Sequence, residues 1–186
     1  MRITLRDMTR TAVFTAALCA IAPLSITVGP IPLTFATLVI YISAGSLGWK
    51  RATVSAALYV LIGAAGLPVF SGFEGGFHKI AGLSGGFIIG YIPCALTAGI
   101  VSDSFIKKSA KSAKRGRQSA WSALGALAGT VVLYTCGTAW FIRSTGAALT
   151  AALASCVAPF LIGDGLKILL ASIIAPRLRT AINVRK

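Results

Sequence analysis

Acidic residues are nearly absent from this chain. Four Asp and Glu stand against 18 Lys and Arg in 186 residues, giving a formal net charge of +14, and there is one histidine. With no paired carboxylates, no Ser/His dyad and no His cluster, the pattern excludes the usual hydrolytic sites. The four cysteines, Cys19, Cys94, Cys136 and Cys156, form no C-x-x-C and sit in apolar surroundings. They read as small buried hydrophobes rather than metal ligands, and no cofactor or metal is expected. No glycine cluster ends in Gly-Lys-Ser/Thr, so there is no phosphate-gripping loop.

Charge of any sign is also scarce. Charged residues make up 12% of the chain, about half the ~25% usual in soluble domains. Hydrophobic residues reach 56%, with a mean hydropathy of +0.84. The chain is therefore read as one integral membrane domain over residues 1–186. In a soluble protein this basic charge would suggest nucleic acid. Here the cations lie between apolar runs, and the positive-inside rule accounts for them without a nucleic-acid partner.

Six transmembrane helices are expected, at about residues 8–27, 33–48, 52–66, 80–102, 119–142 and 159–176. Arg2, Arg6 and Arg10 before the first apolar run mimic a secretory leader. The remaining runs are membrane-embedded too, which favours a first span. Ala12, Ala16 and Ala20 lie four apart on it, a spacing at which another helix can approach closely. Pro30 and Pro32 break the chain into a loop or extended link. Residues 66–77 combine glycine with Phe70, Phe73 and Phe77, a non-helical but adhesive loop that would fold back as a lid or rest on helix ends. In helix four, Gly82, Gly86 and Gly90 have close-packing spacing, and Phe87 and Tyr91 share a face. Residues 103–118 form a basic loop suited to anionic lipid. With both termini cytoplasmic, 15 of the 18 Lys and Arg fall inside.

The sixth helix carries the least ordinary feature, Asp164 and Lys167 within an apolar run. Positions i and i+3 share a helix face. An ionisable residue at membrane depth costs roughly 2.5–3.5 kcal/mol on insertion scales and marks a functional site by default. The competing reading is a self-neutralising pair that only joins helices. If the helix starts at Pro159, Asp164 lies about 8 Å and Lys167 about 12 Å below its outer end at 1.5 Å per residue. The pair would be reachable from outside, as a capture site for a small polar molecule.

Three stretches, Gly63-Ala-Ala-Gly-Leu-Pro-Val-Phe-Ser-Gly-Phe-Glu-Gly-Gly76, Gly82-Leu-Ser-Gly-Gly-Phe-Ile-Ile-Gly-Tyr91 and Pro159-Phe-Leu-Ile-Gly-Asp-Gly-Leu-Lys167, resemble the BioY family in that order. These are the biotin-binding S components of energy-coupling factor (ECF) transporters. The family usually has Gly-Pro-Thr-Gly-Gly-Tyr where this chain has Gly82-Leu-Ser-Gly-Gly-Phe87, and a glutamine in the first external loop where this chain has Thr34-Phe35-Ala36. The resemblance implies an all-α, six-helix bundle in the bacterial cell membrane, with both termini cytoplasmic and biotin held near the outer face. Asp164 and Lys167 would contact biotin; Phe73, Phe77, Phe87 and Tyr91 would wall it, with Gly86 and Thr34 completing the set. Ala12, Ala16 and Ala20 would face a transmembrane coupling component, and two cytoplasmic ATPases would complete the transporter. Biotin is then cargo, and the chain is not an enzyme. The alternatives are an S component for another vitamin, a membrane enzyme, or a structural membrane subunit.

Overall fold

A computed structural model describes residues 4–27, 31–108 and 115–184. The chain is almost wholly helical. Helix α1 (Leu5–Ile21) starts at Thr4, whose hydroxyl accepts from the Asp7 amide as an N-cap. It ends before a small antiparallel hairpin, β1 (Ser25–Thr27) and β2 (Pro32–Thr34), which pairs Ser25 with Thr34 and Ile26 with Leu33. The first helix is thus shorter than expected and the second starts later, because the residues around the prolines pair as strands. The turn itself, at 28–30, lies outside the described residues.

Helix α2 (Ala36–Leu47) is buried on almost every side, as its apolar composition all round requires. It touches α1, α3 (Trp49–Ala64), α5 (Gly85–Lys108), α6 (Arg115–Thr145) and α8 (Phe160–Val184), and so lies at the centre of the bundle. At 12 residues it spans about 18 Å, short of a ~30 Å hydrocarbon core. Among the described residues, Gly85–Ser104 of α5 and Gln118–Thr145 of α6 are long and apolar enough to cross a membrane. The pair of α7 (Leu149–Cys156) and α8, bent by 47° at the break before Phe160, is long and apolar enough for a third when the two are taken together as one broken span. The expected fourth helix divides into a short α4 (Phe77–Ala81) and the long α5, with Gly82 and Ser84 between them. The expected sixth helix runs through Pro176, which is fully buried. Membrane helices tolerate proline where neighbours compensate the freed backbone. The expected basic loop is shorter than 103–118: residues 103–108 continue α5 and 115–118 open α6, while 109–114 lie outside the described residues.

Helices α5 and α6 make the most extensive contact, and glycine allows it. A Cβ at Gly86 would run into the Trp140 side chain, and one at Gly137 into the Phe87 ring. The end of the bundle nearest both termini is closed by ion pairs. Asp7 meets Arg51 at 2.7 Å and Asp103 meets Arg179 at 2.8 Å. Asp103 also accepts from the Trp49 amide at 3.2 Å, and Arg179 donates to the Gly45 carbonyl at 3.2 Å, so one carboxylate joins α3, α5 and α8.

Candidate vitamin-binding site

Asp164 and Lys167 point inward from the first turns of α8, where their 4% and 5% exposure places both charges away from solvent. The Lys167 ammonium donates to Asp164 Oδ1 at 2.9 Å, to the Thr34 carbonyl at 2.7 Å and to Thr37 Oγ1 at 3.2 Å. An ammonium has three N–H donors. All three are engaged, and together they tie α8 to β2 and α2. Phe35 adds an aromatic face 5.9 Å from the charge.

Asp164 is held from three directions. Oδ1 takes Lys167 and, at 3.5 Å, the Thr37 hydroxyl; Oδ2 takes the Tyr134 hydroxyl of α6 at 2.6 Å. A carboxylate offers about four acceptor directions. Three are filled, and the open one lies at Oδ2. Next to this cluster the hydroxyls of Tyr91 and Thr34 hydrogen-bond at 3.0 Å. Tyr91 packs at 6.1 Å from Tyr59, whose hydroxyl donates to the Val69 carbonyl at 3.2 Å.

Asp164, Lys167, Tyr134, Tyr91 and Phe87 all line one cavity of ≈ 40 Å³. A wider groove of ≈ 1000 Å³ runs along α1 and α3 at the other end of the bundle. Its carboxylates are already committed, Asp7 to Arg51 and Asp103 to Arg179. The small cavity is the better-built site, because buried opposite charges and several hydroxyls converge on it.

The structure brings together Asp164, Lys167, Thr34, Phe87 and Tyr91 of the expected residues. It separates others. Phe73 and Phe77 are 64% and 72% exposed and lie outside the cavity wall. The inward position in their loop belongs to Phe70, which is fully buried beneath Gly63 and edge-on to Tyr59 at 5.7 Å. Phe73 adopts a left-handed φ of 58°, uncommon for a bulky residue, as the chain turns back to pair Glu74 with Phe70. Gly86 also stays off the cavity and serves the α5–α6 contact through Trp140. Ala12, Ala16 and Ala20 are exposed along one face of α1. Sequence reasoning missed Tyr134 and Thr37, since an aromatic or a threonine in an apolar helix is ordinary and their partner lies 30 and 127 residues away.

With this geometry in place, comparison with known proteins is informative. Residues 1–184 match the model of the BioY family. A biotin transporter BioY of Thermotoga maritima is 31% identical over 178 residues, covering 94% of this chain and 96% of that protein. A probable biotin transporter BioY of Pyrococcus horikoshii is 32% identical over 174 residues, covering 94% and 96%. The crystal structure of the S component for biotin from an ECF-type ABC transporter superposes with a TM-score of 0.81 at 26% identity, over 96% of this chain and 95% of that one. The glycine, aromatic and Asp/Lys motifs, the helical bundle and the whole-length match agree: the chain belongs to the BioY family.

Proposed function

We propose that this chain is the biotin-capture subunit of an ECF-type vitamin uptake transporter. Its family consists of membrane transport proteins, not enzymes, and biotin enters as cargo. The observation that carries the ligand reading is the buried Asp164 carboxylate, fixed by Tyr134, Thr37 and Lys167 and left with an acceptor direction at Oδ2 beside an aromatic wall. Biotin carries a neutral ureido ring with two N–H donors and one carbonyl, fused to an apolar thioether ring. A ureido N–H suits Asp164 Oδ2, and the apolar ring suits Phe87 and Tyr91. Charge-assisted hydrogen bonds contribute roughly 1.5–3 kcal/mol each. A few of these with dry apolar burial reach the ~12 kcal/mol of nanomolar binding.

Lys167 enters this reading as the group that orients the carboxylate, because its donors already serve three protein acceptors. To touch the ligand directly it must release one of them. A cavity this tight admits biotin only when a wall moves. The segment between Gly66 and Gly76 suits that role, since both glycines hold positive φ, 106° and 98°, where the chain can swing. The proposed location is a bacterial cytoplasmic membrane, and the distribution of Lys and Arg supports an orientation with both termini inside. A transmembrane coupling component and two ATPases would supply the energy this chain has no residues to harvest.

Calorimetric titration of biotin into the purified, detergent-solubilised protein tests the reading, with Lys167→Ala beside the wild type. Tight binding by the wild type that is lost in a folded variant is the expected result. Absence of heat with folded wild-type protein would overturn biotin as the ligand.

A further inference from the structure

The groove along α1 and α3 takes no part in the capture site, and its polarity is graded like that of an amphiphile. Asp7 of α1 meets Arg51 of α3 at 2.7 Å, and eight residues further along α1 the Thr15 hydroxyl meets that of Ser55 at 3.1 Å. The two helices therefore run side by side in one direction, both starting at the end nearest the termini. These cross-links fix their spacing, so the groove of ≈ 1000 Å³ between them is built into the bundle. On α3, Lys50, Val54 and Leu58 stand at i, i+4 and i+8, one helix face about 12 Å long. All three line the groove. On α1, Asp7 gives way to Met8 and Ala12 in the same way. The groove is polar where the helices start and apolar toward the middle of the bilayer.

Its polar end is basic. The carboxylates there are Asp7 and Asp103, and around them stand the cationic side chains of Arg6, Arg10, Lys50, Arg51 and Arg179. Arg51 donates to Asp7 and, at 3.5 Å, to the Leu47 carbonyl. A guanidinium has five N–H donors, so Arg51 can also take a phosphate oxygen. The Trp49 backbone presses on α5 where Gly99 leaves room for it, and the Lys50 ammonium lies 5.1 Å from the Trp49 ring. Tryptophan beside lysine belongs at head-group depth. A soluble anion would use only this basic end and leave Val54 and Leu58 facing nothing that needs them. A partner helix would use the apolar walls and gain nothing from the basic rim. A phospholipid with an anionic head group uses both, as in other basic pockets between transmembrane helices.

We infer that the groove between α1 and α3 binds an anionic phospholipid from the leaflet at that end, with its phosphate at Lys50 and Arg51 beside Trp49 and one acyl chain along Val54 and Leu58. Of the exposed alanines on α1, Ala12 lines this groove, whereas Ala16 and Ala20 do not.

Phosphatidylglycerol and phosphatidylcholine with the same acyl chains differ in the head group alone. Each is titrated into the purified, delipidated full chain in detergent, native mass spectrometry reads the bound fraction, and cooperative melting is checked for every variant. The wild type is expected to hold phosphatidylglycerol at least tenfold more tightly. One cation near a membrane surface contributes about a fivefold preference for anionic lipid, so Lys50→Gln should lose about that factor. Arg177→Gln removes the same charge outside the groove and should keep the preference. Leu58→Trp fills the path of the acyl chain and should weaken both lipids. Glycerol 3-phosphate, a head group without chains, should not displace bound lipid. Equal binding of the two lipids by the wild type would overturn the inference. So would an undiminished preference in folded Lys50→Gln, an equal loss in Arg177→Gln, or full lipid binding by Leu58→Trp. Displacement by glycerol 3-phosphate would overturn it in favour of a soluble phosphate. Retention of neither lipid by the wild type, with loss of co-purifying coupling component from Leu58→Trp, would give the groove to that partner instead. If Leu58→Trp does not melt cooperatively, Val54→Trp takes its place with the same outcomes.

Discussion

The Tyr134 hydroxyl does what sequence reading assigned to no residue: it holds Oδ2 of Asp164, the oxygen proposed to meet the ligand, at 2.6 Å. Tyr134→Phe removes that hydrogen bond and little else. A hydrogen bond to a charged group contributes about 1.5–3 kcal/mol, so biotin affinity should fall by a factor of roughly ten to a hundred, read by calorimetry. Unchanged affinity would show that Asp164 needs no such support. Lys167 is expected to behave differently. Removing one partner of a buried ion pair costs about 3–5 kcal/mol, whereas replacing both can be far milder. Lys167→Met should therefore lower the melting temperature more than Asp164→Asn/Lys167→Met, while both lose biotin. The pair itself was legible in the sequence because charge within an apolar run is rare. The rest of its tether was not, because Thr37 and Tyr134 are distant in the chain from Asp164 and unremarkable where they stand.

Glycine at helix crossings shapes the cavity from outside it. Gly137 never touches the cavity, yet a Cβ there would run into the Phe87 ring, which lines the wall. Overpacking of this kind typically costs 1–3 kcal/mol. Gly137→Ala should push the ring toward the ligand and weaken biotin binding by about tenfold, while far-UV circular dichroism still reports a helical bundle. The loop of residues 66–76 obeys a separate electrostatic rule. Lys79 bonds Glu74 at 2.8 Å, and through that hydrogen bond and its charge holds the carboxyl below its ordinary value of 4.5. A depressed carboxylate stabilises above its unfolded pKa and loses that contribution as pH falls through the folded one. Limited proteolysis of the loop should therefore give the same pattern at pH 7 and pH 5 and change only below about 4.5. Glycine and aromatic content announced an adhesive loop here, but composition does not say which aromatic turns inward. The space above Gly63 selects Phe70 and leaves Phe73 and Phe77 outside.

Uptake needs more than capture, and the surface of α1 offers a face on which the proposed coupling can be tested. Ala12, Ala16 and Ala20 form an exposed row of small side chains four residues apart, on the face turned away from Thr11, Thr15 and Leu18, which pack inward. Lipid alone would be served equally well by leucine. A row of alanines instead lets a second helix approach backbone to backbone. The four-residue spacing of small residues made this face visible in advance, but only the buried positions of its neighbours show that it is left uncovered. Ala16 lies apart from the Asp164 cavity, so Ala16→Leu should bind biotin with wild-type affinity in detergent. In cells carrying the coupling component and ATPases, the same variant should lose most biotin uptake, because the added side chain holds the partner helix off by more than an ångström along the whole contact. Wild-type uptake by that variant would show that the partner docks elsewhere. Loss of binding together with uptake would show that α1 shapes the cavity after all. Only retained binding with lost uptake identifies this face as the place where a loaded capture subunit meets its energising module.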